Sequence, residues 1–185
     1  MRKLSNYQFT KTNKMKKTTK ILTTAAAAVA LFFSTNAMAQ SSLGVGVIAG
    51  TPTDNARSHV LSAELRLQLN VSTRWSIPIT GGYTRMYAKD NSTGVNAIDR
   101  DYIPVKVGAK YFFAERGSGL YGLLEGGAGL ATGDYPTDNT RFIYSPAFGY
   151  AWSNGLDLSG KYEGFRASGI TTGYWGVRLA YGFKL

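Results

Sequence analysis

The sequence predicts an all-β protein: an eight-stranded, antiparallel, up-and-down transmembrane β-barrel over residues 40–185, preceded by a cleaved signal peptide over residues 1–39. Three observations predict it. Eight short stretches alternate apolar and polar residues with a period of two, the spacing that puts successive strand side chains on opposite faces. The apolar face is bulky and aromatic while the other is small or charged, which suits a barrel standing in lipid. Each stretch is closed by a turn signal rich in Gly, Asn, Asp or Pro. The last one is clearest, with Trp175, Val177, Leu179, Tyr181, Phe183 and Leu185 on one face and Gly176, Arg178, Ala180, Gly182 and Lys184 on the other. Periodicity alone does not say which face is inside; the bulk of the apolar face and the aromatic distribution below argue against a water-soluble barrel.

The first 39 residues stand apart from this pattern. Residues 1–20 hold seven of the 21 basic residues and no acid, Ile21–Phe33 is apolar, and Ala37-Met38-Ala39 is a small-x-small site. A basic segment, an apolar segment and such a site make a secretory signal, with cleavage expected after Ala39. The apolar run is short of the roughly 20 residues of a spanning helix. Translation from Met15 would still give a complete signal. Removing the seven leaves 14 basic against 11 acidic residues, a net of +3, so the overall +10 is mostly a property of the leader. It is therefore not a nucleic-acid footprint. The remainder is the size of one domain, and the absence of cysteine excludes disulfides, thiolate metal sites and a lipidated N-terminal cysteine.

Taken in order, strand one is Leu43–Gly50, with Leu43, Val45, Val47 and Ala49 outward. Strand two runs from about His59 to Asn70, with Leu61, Ala63, Leu65, Leu67 and Leu69 opposite Glu64, Arg66 and Gln68. Strand three, Arg74–Tyr87, turns Trp75, Ile77, Ile79, Gly81 and Tyr83 outward, and its Pro78 removes a ladder donor. Strand four, Tyr102–Phe113, sets Ile103, Val105, Val107, Ala109, Tyr111 and Phe113 against Lys106, Gly108 and Lys110. Strand five, Gly119–Ala131, sets Leu120, Leu124, Ala128 and Leu130 against Glu125; the glycines of Gly126-Gly127-Ala128-Gly129 permit curvature or close packing. Strand six, Arg141–Trp152, presents Phe142, Tyr144, Phe148, Tyr150 and Trp152, with Pro146 on the same face. Strand seven, Leu156–Arg166, alternates Leu156, Leu158 and Tyr162 with Asp157, Ser159, Lys161 and Glu163. Strand eight is Tyr174–Leu185.

The connections divide into two classes. Links two-three, four-five and six-seven are tight, the last carrying Asn154-Gly155, a strong hairpin signal. Links one-two, three-four, five-six and seven-eight read as longer and polar. Short periplasmic turns alternating with longer external loops is the outer-membrane pattern, and an even strand number places both termini in the periplasm. Aromatics divide likewise: Trp75, Tyr111, Phe113, Trp152, Tyr181 and Phe183 near the tight turns, and Tyr83, Tyr87, Tyr102, Phe142, Tyr144, Tyr174 and Trp175 near the loops. Two belts at the two lipid interfaces are expected.

The inward faces collect Glu64, Arg66, Lys106, Lys110, Glu125, Asp157, Lys161, Glu163 and Arg178. Charges inside so narrow a barrel must pair, because an isolated buried charge costs several kcal/mol. They predict a plug of salt bridges; the competing reading is an ion or proton path.

Ile103-Pro-Val-Lys-Val-Gly-Ala-Lys-Tyr-Phe-Phe113, Leu120-Tyr-Gly-Leu-Leu-Glu-Gly-Gly-Ala-Gly129 and the ending Tyr181-Gly-Phe-Lys-Leu185 carry a family resemblance. With them the chain resembles the small eight-stranded outer-membrane β-barrel proteins, in particular the barrel-domain family common in Bacteroidetes. The resemblance covers the whole of residues 40–185 and implies fold and address, not activity. It also implies insertion by the barrel-assembly machinery, which reads an aromatic, apolar final strand, here Tyr181, Phe183 and Leu185.

Chemistry has few candidates. Outer-membrane lipid A deacylases resemble the chain in size and use a serine, a histidine and an acid. The only histidine is His59, beside Ser58 and five residues before Glu64, and adjacent extended residues point to opposite faces, which fits that arrangement poorly. Asp134, Asp138 and Asn139 lack calcium-loop spacing. No metal cluster, phosphate loop or dinucleotide fingerprint is present, and no cofactor and no nucleic-acid partner are expected. The sequence therefore predicts a non-catalytic barrel of a Gram-negative outer membrane, touching lipid and presenting short external loops for structural or surface-interaction roles. The alternatives are a narrow channel for ions or small apolar solutes, and a lipid-modifying enzyme.

Overall fold

The computed structural model describes residues 41–55, 57–89, 99–114, 117–132, 140–167 and 170–185. The expected signal segment over residues 1–39 with its expected cleavage site, and the Asp134, Asp138 and Asn139 group, lie outside the described residues. Eight strands follow in chain order: β1 (Ser41–Pro52), β2 (Arg57–Asn70), β3 (Trp75–Ala88), β4 (Arg100–Phe112), β5 (Gly119–Thr132), β6 (Thr140–Ala151), β7 (Leu156–Ala167) and β8 (Ile170–Lys184). Each pairs antiparallel with its neighbours, and β1 pairs β8, for example Val45 with Tyr181, so the sheet closes into a barrel and no edge strand is left. The fold is the all-β, up-and-down transmembrane barrel that the alternation predicts.

The faces divide as the period of two requires. Val47, Leu65, Leu124 and Trp175 are 59–65% exposed on the outer wall, whereas Glu64, Lys106, Glu125 and Glu163 are at most 3% exposed inside. A wall so apolar over so many strands would be unstable in water and is favourable against acyl chains.

Three sequence expectations are corrected. The links do not fall into two length classes: Pro52 and Arg57, and Ala167 and Ile170, stand as close in sequence as the ends of the tight links. β7 and β8 absorb residues read as loop, because the polar segment around Thr172 and Gly173 pairs with Phe165 and Gly164 and continues the ladder. Only links three-four and five-six are longer. Second, Tyr102 and Tyr174 do not join the outer belt; they are 7% and 0% exposed and point into the lumen, each on the polar-face parity of its strand. Third, Ser58 and His59 do not point apart. A register shift between Arg57 and His59 breaks the alternation, and Ser58 Oγ lies 2.9 Å from His59 Nδ1.

The prolines behave as ladder breakers. Pro78 pairs with Gln68 of β2, but the β3–β4 register skips Ile77 with Ala109 and Pro78 with Gly108. Pro146 pairs with Leu124 of β5, while the β6–β7 register skips Ser145 with Glu163 and Pro146 with Tyr162.

Among the glycines of β5, Gly127 has the strictest requirement, since a Cβ there would run into the Val105 carbonyl and the Lys106 backbone. Gly127→Ala is therefore expected to cost about 1–3 kcal/mol, read as a lower urea midpoint in detergent. Gly122→Ala, where nothing lies within 4 Å of the new methyl, is expected to leave the midpoint unchanged.

Candidate functional site

The candidate site is the lumen. Its charged residues come from five strands, each on the parity opposite the lipid-facing set: Glu64 and Arg66 on β2, Lys106 and Lys110 on β4, Glu125 on β5, Asp157, Lys161 and Glu163 on β7, and Arg178 on β8. All nine are buried.

They form one connected network with Glu64 at its hub. Glu64 Oε1 accepts from Lys106 Nζ at 2.9 Å and Lys161 Nζ at 3.1 Å, while Oε2 accepts from Arg178 Nε at 3.1 Å. Glu163 Oε2 takes the same two lysines at 2.5 and 2.9 Å. Arg66 Nη2 reaches Glu125 at 3.2 Å, and Thr80 Oγ1 donates to Glu125 at 2.6 Å. Lower in the barrel, Asp157 accepts from Lys110 Nζ at 2.9 Å, Arg178 Nη1 at 3.0 Å and Tyr121 Oη at 2.6 Å. Arg178 thus joins the two acidic centres.

Five cations face four carboxylates. Part of the surplus is met by aromatic faces, because Lys110 Nζ stands 3.8 Å from the centroid of Tyr121 and 4.8 Å from that of Phe112. Arg66 Nη1 and Ser145 Oγ are buried in the same lumen without a protein hydrogen-bond partner.

The sequence reading missed what closes this network at its ends. Toward the loops Ile48, Val60, Met86, Tyr102, Ile143, Phe165 and Tyr174 form a buried apolar cluster. Tyr102 and Tyr174 turn their hydroxyls down onto Glu163 Oε1 at 3.1 and 3.3 Å, so their rings belong to the cap and their polar tips to the network. Toward the tight turns Phe112, Tyr121 and Leu123 form a second cluster, packed by Ala147 and Ala151. The available signal was parity: each of these residues shares the inward register of the charges on its strand. An open groove lies elsewhere, on the lipid-facing wall, where small Ala63 and Gly81 sit among Val45, Val47, Leu65 and Leu179.

The Ser58 and His59 pair sits on the outer surface. His59 stacks on Tyr87 with ring centroids 4.3 Å apart, and Glu64, the acid five residues after His59, is turned into the lumen and taken by its cations. The three residues do not assemble. Nearby, outside the strands, Asp99 accepts from the Ala88 amide at 2.9 Å and from Arg85 Nη2 at 2.8 Å. These two donors, the amide foremost, hold its carboxyl below the usual carboxylate range. Tyr181, Phe183 and Leu185 lie on the outer wall, 43–58% exposed.

No family model matches the chain, and no curated protein matches it. Solved structures do. The barrel is similar to the outer-membrane protein Ail of Yersinia pestis in a phospholipid nanodisc. That match has a TM-score of 0.58 and 16% identity over 78% of this chain and 99% of that one. The crystal structure of Ail, the attachment invasion locus protein of Yersinia pestis, gives a TM-score of 0.50 and 18% identity over the same shares. What is shared at such identity is the small eight-stranded barrel.

Glu64→Gln leaves Lys106, Lys161 and Arg178 short of a common counter-charge and is expected to destabilise the barrel by about 3–5 kcal/mol, measured by urea unfolding in detergent. Asp99→Asn is expected to lower the melting temperature at neutral pH. Because the folded carboxyl titrates below its unfolded value of about 4, its contribution is present above that pH and fades as pH falls through the folded value. The difference from wild type should therefore close on acidification.

Proposed function

We propose that the chain is a non-catalytic barrel of a Gram-negative outer membrane, electrically silent, that anchors external loops for a structural or surface-interaction role. The observation that carries this reading is the lumen, filled by nine paired charges and capped at both ends by apolar clusters. An eight-stranded barrel is just wide enough for side chains to fill, and here long cations and aromatic rings do so. A conducting path needs a continuous wet column, and buried ion pairs between two dry caps oppose one. The apolar outer wall supports residence in lipid. Under this reading links three-four and five-six are external, and the even strand number puts both chain ends in the periplasm.

The same reading makes residues 1–39 the export signal and gives Tyr181, Phe183 and Leu185 to recognition by the barrel-assembly machinery, since they present an aromatic, apolar edge on the last strand. The Bacteroidetes affiliation suggested by the Ile103–Phe113, Leu120–Gly129 and Tyr181–Leu185 stretches belongs to this proposal too. Attachment and invasion are properties in the name of Ail and are not transferred here, whereas a surface role suits any barrel whose interior is closed. Against catalysis stands the separation of Glu64 from Ser58 and His59.

The test is conductance of residues 40–185, refolded in detergent and inserted in a planar bilayer. The expected result is a correctly inserted barrel with no current steps. Stable steps whose size changes in Lys106→Ala or Arg178→Ala would overturn the reading and make the chain a channel.

A further inference from the structure

The three prolines within the described strands β3, β4 and β6 remove hydrogen bonds from two seams only. Pro78 and Pro104 both direct their missing N–H into the β3–β4 seam: Pro78 keeps its pairing with Gln68 of β2, and Pro104 keeps its pairing with Gly129 of β5. The β3–β4 register accordingly lacks Ile77 with Ala109, Pro78 with Gly108, Gly82 with Pro104 and Tyr83 with Ile103, although the alignment on either side is continuous. Pro146 removes Ser145 with Glu163 and Pro146 with Tyr162 from the β6–β7 seam. The β1–β2, β1–β8, β4–β5 and β5–β6 ladders run without a skipped pair. In a bilayer no water replaces a missing ladder bond, so these two seams are the weak ones. Together they cut the closed sheet into a segment of three strands, β4 to β6, and a segment of five, β7 to β3 through the β8–β1 closure.

The lumen network runs across that cut. Every charged residue that the three-strand segment adds to the buried network bonds to the five-strand segment. Lys106 reaches Glu64 and Glu163, Lys110 reaches Asp157, and Glu125 takes Arg66 and Thr80. The hydroxyls of Tyr102 and Tyr121 cross the same way, to Glu163 and Asp157. The remaining contact of this kind within the small segment, Lys106 to Glu125, is a long 4.0 Å.

We infer that the lumen network is a latch. It holds β4–β6 against the other five strands across two proline-weakened seams, and when the latch is loosened the barrel parts there before it parts elsewhere. This goes beyond the silent-anchor reading and does not depend on it, since conductance and seam opening are read by different measurements.

Hydrogen exchange resolved residue by residue by NMR on the refolded barrel, residues 40–185, tests the idea, because successive amides of one strand belong to opposite seams. In wild type, amides of β3, β4, β6 and β7 beside the skipped pairs are expected to exchange at least about tenfold faster than those in β1–β8 and β4–β5, the behaviour of locally opening structure. Pro78→Ala and Pro104→Ala restore the missing donors and should slow exchange in the β3–β4 seam alone. Thr80→Val, which removes the Thr80 donor to Glu125 and keeps its shape, should speed exchange at both seams. If Glu125→Gln folds, it should do the same to a greater extent. Because the chain has no cysteine, a disulfide between Ile77→Cys and Ala109→Cys can be formed cleanly and should suppress the seam's fast phase. Uniform exchange in wild type, no response to the proline replacements, or acceleration spread evenly over all seams in Thr80→Val would each overturn the inference.

Discussion

The constraint on which the structure depends is that a narrow lumen surrounded by lipid must satisfy its own polar groups. Strands in a bilayer need polar or small residues on one face simply because the other face is given to acyl chains. In an eight-stranded barrel those inward residues have almost no room and no bulk water. Charge placed there must meet opposite charge at hydrogen-bond distance, or it costs more than the fold can offset. Glu64 meets this by taking three cations at once, Arg178 by joining Glu64 to Asp157, and Lys110 by bonding Asp157 while resting on the face of Tyr121.

The aromatic caps follow from the same constraint. A network of ion pairs gains strength when water is kept away, and the lumen is open at both ends unless something closes it. Tyr102 and Tyr174 do both tasks with one side chain, presenting a ring to the apolar cluster and a hydroxyl to Glu163. Tyr121 repeats the solution at the other end against Asp157. The silence to ions proposed above would then be a by-product of stability, since what holds the interior together also fills it.

Much of this was legible in the sequence, because a period of two records faces without needing tertiary context. The charged set from Glu64 to Arg178 could be assigned to one side of the wall residue by residue. What the alternation could not record was depth. Tyr102 and Tyr174 sit at strand ends among exposed aromatics, so abundance suggested a belt, whereas parity, which puts Tyr102 with Lys106 and Tyr174 with Arg178, gives the lumen. Link lengths failed for a different reason. A polar Gly- and Thr-rich segment carries no alternation once both faces are outside lipid, yet around Thr172 and Gly173 its backbone still extends the ladder against β7. The contact of Ser58 with His59 was hidden by a bulge, which inserts a residue without a clear compositional mark.

The wall and the network were shaped together, and the inward glycines show how. A methyl at Gly108 would stand 2.8 Å from the Cγ of Glu125, one at Gly149 2.7 Å from the Tyr121 hydroxyl, and one at Gly46 3.2 Å from the Arg178 guanidinium. Each lies on a neighbouring strand's inner face directly beside a long side chain of the network. Large residues reaching into the lumen therefore require small ones opposite them, as in any well-packed interior. That explains why so many inward positions carry neither charge nor bulk. A polar face read as small or charged is not two alternatives but one packing rule: the small residues are the space that the charges occupy. It also explains why the network tolerates prolines in the wall. With the interior filled and paired from strand to strand, the connection between β4–β6 and the rest is carried by side chains through the lumen as well as by backbone around it.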